Sequence, residues 1–306
     1  MSNSSLHDGR RGSVLSSEVL LRLSVPEVIT CIEELNLSMS IRYPVIVSRI
    51  IYETITPEGQ PTKASGLVVM PDEISGTLPI ISYQHGTQTS KDDVPSVIGM
   101  HPFAVGSAST GYAVCVPDYL GLGAAQNESS HRLHPFLHSK SLATTVIDML
   151  RATKAACTKN GTASNGQLFL MGYSEGGYAT MAAQREIEQH YQDEFSVTAS
   201  APMAGPYDLS GVMVERILAD QYHPSPAYLP YLLLAYNQVY KIFPDIRDIF
   251  APPFDRVVPE LFDGCKMLDE INSALPAIPL QMLRKDFLHD FLERADHPLR
   301  LALRQN

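Results

Sequence analysis

A serine set between two glycines, where an apolar run gives way to a helical one, constrains this chain more than any other feature. Gln167-Leu-Phe-Leu-Met-Gly-Tyr-Ser-Glu-Gly-Gly177 reads as a buried strand running into G-x-S-x-G and on into a helix. In that setting the serine sits on a tight, strained turn and its hydroxyl projects above the sheet. Gly172 and Gly176 are needed because side chains there would meet the neighbouring strand and helix. The N-terminus of the following helix points at the serine, which favours developing negative charge. A bare match to the pattern is weak; a strand before it and a helix after it make Ser174 a candidate nucleophile for acyl transfer.

Acyl transfer also needs donors for an oxyanion. The backbone N–H of Glu175, next after the serine, is one. The second belongs in the loop after an earlier strand, and Leu78–Tyr83 ends in Gln84-His85-Gly86-Thr87. Thr87 N–H is assigned, with Gly86 as the alternative; a plain strand-ending turn is the bland reading. A third fragment, Gly111 to Gly123, is a strand ending in Pro117-Asp118 and two glycines. Asp118 precedes the serine, whereas the acid partner follows it in this chain order, so loop support through hydrogen bonds is its expected work. His85, Gly86, Asp118 and Tyr173 are the expected pocket and loop-supporting residues.

Strand and helix signals alternate around these fragments. Val45–Ile55 and Ala64–Met70 form a hairpin about the turn Thr56 to Gln60. Leu78–Tyr83, Tyr112–Val116, Gln167–Met171 and Val197–Ala201 are strand candidates, with helices over Pro135–Cys157 and Gly176–His190. A helix from Ser24 to about Leu35 precedes them, and residues 1–13 are expected to be disordered. The alternation predicts an α/β fold with a mostly parallel sheet covered on both faces. After Gly205-Pro206 only helices and proline-rich links follow, including an amphipathic run over Leu280–Leu292.

The three fragments Tyr83–Thr87, Pro117–Gly123 and Gly172–Gly177, with His134-Pro-Phe-Leu-His138, resemble the secreted-lipase family of α/β hydrolases, typified by Candida lipase A and its bacterial relatives. The likeness runs from about Leu15 to Arg304. It implies an α/β-hydrolase fold, carboxylic-ester hydrolysis, often of lipids, and a helical cap inserted after the sixth strand, here Leu209 to about Pro298. Residues 1–206 would be the core, and 207–306 the cap with a return segment. In relatives two further strands then carry the acid and the histidine; this chain stops at Asn306, so the expectation is a chain lacking its last core strands.

A serine needs a base, and the base an orienting acid. The histidines after Ser174 are His190, His223, His289 and His297. His190 closes the helix that Ser174 opens; His289 stands three residues after Asp286 on one helix; His297-Pro298 lacks strand context. His297 and His289 remain as remote candidates for the base, and weak or absent activity is expected. A catalytically dead binding protein that keeps the cleft, or an acyltransferase or peptidase on the same serine, are the competing readings. His131, His134 and His138 invite a metal reading, but no carboxylate or cysteine completes a set, so hydrogen bonding near the pocket is expected and no metal or other cofactor.

Four dispersed cysteines without a CxxC pair indicate no zinc or thioredoxin-like site. A net charge of −10, with no basic run, excludes a nucleic-acid partner in favour of a small-molecule ester or lipid. The polar start lacks a signal-peptide core, and Tyr228–Phe243 is interrupted by Pro230 and Asn237 and carries Lys241, so stable membrane insertion is not expected. As encoded, the chain reads as soluble and cytoplasmic, although relatives are often exported.

Overall fold

Period-two patterning builds the centre of the molecule. The computed structural model describes residues 10–35, 38–125 and 133–306. Its seven-stranded sheet runs in the order β1-β2-β3-β5-β4-β6-β7. The strands are β1 (Val14–Leu23), β2 (Val45–Ile55), β3 (Pro61–Pro71), β4 (Gly76–Gln84), β5 (Ala113–Pro117), β6 (Thr162–Tyr173) and β7 (Val197–Met203). β2 and β3 form the expected hairpin, in register from Val45↔Pro71 to Ile55↔Pro61. β3 joins β5 antiparallel, while β5, β4, β6 and β7 run parallel.

Neighbouring residues of one strand serve opposite faces. Val45, Val47, Leu67, Val69, Val114 and Val116 meet Ala104, Val105 and Ala108 of one helix. Ile46, Val68, Met70 and Cys115 meet Leu142, Val146 and Leu150 of another. Helices α1 (Val25–Ile32), α2 (Pro95–Ile98), α3 (Pro102–Ser109), α4 (Ser139–Lys159) and α5 (Glu175–His190) belong to this core. Glu27 accepts from the Ser24 amide at 2.8 Å, the capping box that starts α1.

Beyond β7 come α6 (Val212–Leu218), α7 (Tyr228–Tyr240), α8 (Phe254–Leu261), α9 (Leu268–Ser273), α10 (Lys285–Glu293) and α11 (Pro298–Gln305). Their apolar side chains join the same cluster as the sheet. Phe136 of the core stacks on Tyr231 of α7 at 4.5 Å, and the Tyr231 and Tyr236 hydroxyls donate to Gln88 O and Leu137 O, each at 3.0 Å.

The structure corrects several expectations. Residues 10–13 are not disordered: Arg11 lies 3.2 Å from the buried Asp148 carboxylate and donates to the Tyr191 hydroxyl at 2.9 Å. Residues 1–9 lie outside the described part. β1, an outer antiparallel strand with mostly exposed side chains, carries no inward alternation to announce it. The helix of Pro135–Cys157 begins only at Ser139. The run over Leu280–Leu292 is a 3₁₀ turn (Pro279–Met282) followed by α10. All four cysteines are free.

Candidate active site

The last residues of β6 pair alongside β4, and the backbone then turns on Ser174. Ser174 has φ 59° and ψ −123°, a sparsely populated conformation for a side-chain-bearing residue that costs about 1–3 kcal/mol. Glycines allow the bend. A Cβ on Gly176 would stand 2.0 Å from Gln84 O, and one on Gly172 2.3 Å from Gly176 O. Gly177 belongs to the same set, since its Cβ would stand 2.2 Å from Met203 O. The sequence reading missed Gly177 because its neighbour, β7, is distant in the chain. Ser174 N–H donates to Met203 O at 2.9 Å, fixing the bend to β7.

Helix geometry leaves the first amides of α5 without intrahelical acceptors, and Tyr178 N–H is the first to reach back, to Ser174 O. The Glu175 amide thus stands free of the helix beside the serine. Thr87 shares with Ser174 and Glu175 the wall of one cavity of about 440 Å³. Gly86 lies close under the bend, its notional Cβ 3.9 Å from Ser174 Cβ. The remaining wall is apolar and comes largely from the helices after β7, including Met213, Ile217, Leu229, Leu233, Phe287 and Phe291.

The loops beneath are tied by buried polar groups. Asp118 is fully buried; it accepts from Ser65 Oγ at 2.6 Å and from Ser96 N–H at 3.0 Å. Ser65 Oγ and Ser96 Oγ in turn accept from Ala125 and Ala124 N–H. Burial pushes the Asp118 carboxyl up, against the hydrogen bonds that hold it down. His85 places Nδ1 2.7 Å from Gly86 O and Nε2 3.3 Å from Asp118 O. His134 contacts Leu120 O through Nδ1 at 2.9 Å and Glu175 Oε1 through Nε2 at 2.7 Å. Tyr173 departs from expectation: its side chain is 59% exposed and is absent from the cavity wall, because the residue before the bend points to the opposite side of the strand.

No described histidine is hydrogen-bonded to Ser174. His297 is buried, accepts from Leu299 N–H at 3.1 Å, and is held neutral by burial; Asp290 lies 3.6 Å from its other nitrogen. His289 is exposed on α10 and His190 at the end of α5. His138 contacts Ser141 Oγ at 2.6 Å, and His101 accepts from Ala104 N–H. His223 lines the cavity, yet its Nδ1 accepts from Ser225 N–H at 3.0 Å. His134 and His138 therefore turn to different partners rather than to one metal; His131 lies outside the described residues. Among the described residues no cluster of metal-binding side chains occurs, and no helix is long and apolar enough to cross a membrane.

A mixed sheet of this order, with helices on both faces, a serine bend above its centre and a helical cover, defines the α/β-hydrolase class. The chain belongs to the secretory lipase family, whose model matches residues 96–249. The structure is similar to a putative hydrolase of Legionella pneumophila, with 31% identity over 94% of this chain and 78% of that one, at a TM-score of 0.83. It is equally similar to the rice cell wall degrading esterase LipA of Xanthomonas oryzae, with 31% identity over 96% of this chain and 78% of that one, at 0.84. Candida antarctica lipase A in its closed state shares the fold, with 15% identity, 96% of this chain and 64% of that one covered, and a TM-score of 0.66. No curated protein sequence matches.

Proposed function

We propose that the protein is a carboxylic-ester hydrolase of the lipase and esterase type, with Ser174 as nucleophile and the amides of Glu175 and Thr87 as oxyanion donors. One observation carries this reading: the strained Ser174 opens into an apolar cavity whose wall also holds Thr87 and Glu175. In the reaction, Oγ attacks the ester carbonyl carbon and its proton passes to a base. The alcohol leaves, and water later releases the acid. The apolar wall suits an acyl chain. Residues 1–206 act as the core and 207–306 as a cap with a return segment.

Support for weak turnover lies in the histidines. None of the described histidines is hydrogen-bonded to Ser174, and the rings of His85, His134, His138, His223 and His297 have other partners. Loss of the base from a serine hydrolase costs about 10⁶ in kcat and leaves residual catalysis from the oxyanion donors and binding. Residues 1–306 alone therefore hydrolyse activated esters weakly or not at all. The same observation favours a second reading, a binding protein that keeps the cleft.

A fluorophosphonate probe followed by peptide mass spectrometry tests the nucleophile. A slow adduct confined to Ser174, lost in Ser174→Ala, is expected, with little turnover of p-nitrophenyl butyrate. Robust turnover abolished by His297→Ala would move the base to α11 and sink the account of the histidines. No adduct from a folded chain that still binds a fluorescent fatty acid would establish the binding protein instead.

A further inference from the structure

Glu175 does more in this site than present its amide. Its side chain is 1% exposed, and so is that of His134, 41 positions earlier in the chain. The hydrogen-bonding partners of His134 set a constraint. Nδ1 lies 2.9 Å from the Leu120 carbonyl, which can only accept, so Nδ1 carries a proton. Nε2 lies 2.7 Å from Glu175 Oε1. In a neutral imidazole that already bears its proton on Nδ1, Nε2 is an acceptor, and an ionised carboxylate is an acceptor too. Two acceptors do not hold that distance in a buried site.

We infer that one additional proton lies between His134 Nε2 and Glu175 Oε1, so that the pair carries no net charge beside Ser174. The inference rests on the reading of Ser174 as nucleophile only for its functional consequence. Among the described residues, the rings that cover His134 supply no neutralising charge. The ring of Tyr119 stacks on His134 at 5.5 Å, but its hydroxyl donates to His85 O at 2.9 Å. Tyr231 covers the imidazole from α7, at 6.2 Å, and its hydroxyl donates to Gln88 O. The second carboxylate oxygen, Glu175 Oε2, is buried with no hydrogen-bond partner among the described residues. An ionised carboxylate without compensation in such a place is costly.

The consequence concerns charge. In the acyl-transfer step negative charge develops on an oxygen facing the Glu175 amide. A bare carboxylate on that same residue, in a site closed to water, opposes this charge; a neutral pair does not. His134 is thus a positioning residue: it holds the Glu175 carboxyl, joins the nucleophile helix to the loop around Leu120, and removes the adverse charge.

Two measurements test this on the whole chain. The first is nitrogen-detected NMR of histidine-labelled protein at neutral pH, with His134 assigned by its loss in His134→Gln. Protons on Nδ1 and at Nε2 are expected together, in the wild type and in Ser174→Ala alike, and the Nε2 proton is expected to go in Glu175→Gln. A ring bearing its only proton on Nε2, facing an ionised carboxylate, overturns the inference whether or not Ser174 reacts. The second is the rate of Ser174 phosphonylation. His134→Gln is expected to slow it roughly tenfold to a hundredfold with Glu175 in place. In the Glu175→Gln background the same change is expected to act less than about twofold, because the charge is already absent. Equal losses in both backgrounds would reduce His134 to a packing residue. If no labelling occurs at all, the nucleophile reading fails and the NMR result alone decides the proton.

Discussion

At Ser174 the chain holds a side-chain-bearing residue at φ 59°, and the surrounding glycines show what keeps it there. β4, β7 and α5 approach one another so closely that backbone oxygens occupy the places where Cβ atoms would sit. Gly176→Ala drives a methyl to 2.0 Å from Gln84 O, a clash between rigid parts, and is expected to lower stability by about 3 kcal/mol in urea unfolding. Gly86→Ala provides the contrast. Its nearest neighbour is Tyr173 O at 3.5 Å, so a cost under about 1 kcal/mol is expected while phosphonylation of Ser174 slows. Equal destabilisation by both would show that the bend is not held by close backbone approach. The G-x-S-x-G pattern was legible because it is local. The outward turn of Tyr173 and the need for glycine at 177 were not, because they depend on strands brought alongside by the fold.

Helix starts account for several histidines that look like chemistry in the sequence. His101, His138 and His297 each accept a backbone N–H at the head of α3, α4 and α11. In two of these, His101-Pro102 and His297-Pro298, proline takes the first helical position, where its missing donor is harmless. His-Pro before an apolar helix was thus a capping signal available to sequence reading. His101 also makes a pH prediction. Burial, and secondarily the charge of His85, bring its imidazole from 6.5 down to about 4, beside the ring of Tyr83. Between those two values the unfolded chain binds a proton that the folded chain refuses. Stability therefore falls as pH drops from 6.5 toward 4, by about 2–3 kcal/mol from this group. His101→Asn keeps a capping side chain and removes the titration, so its stability curve should be flatter across that window. An unchanged slope would mean that His101 does not titrate between these limits.

Across the whole molecule the sheet has a sheltered centre and two outer strands. Among the described residues, β5 and β4 are flanked on both sides, whereas β1 pairs only with β2 and β7 only with β6. β7 has only half-buried and exposed side chains, and Tyr173, Met181 and Met203 are exposed around it. Hydrogen exchange should open β1 and β7 well before β4 and β5. A free strand edge is also a template for pairing with another chain. Ala199→Lys, on an exposed position of β7, is accordingly expected to reduce concentration-dependent association seen by light scattering without changing the fold. Uniform exchange across the sheet, or association that ignores the lysine, would count against an open edge.

Sequence by itself determined the α/β class, the hairpin, the parallel strands, the bend at Ser174 and the helical nature of everything after β7. Those features rest on short-range periods and turn chemistry, which a chain carries in its own order. Tertiary structure alone decided which buried polar groups meet. The proximity of His134 to Glu175, of Asp118 to Ser65 and Ser96, and of Arg11 to Asp148 joins residues 22 to 137 positions apart. Contacts over such separations leave no periodic trace, and only the packing of one core makes them.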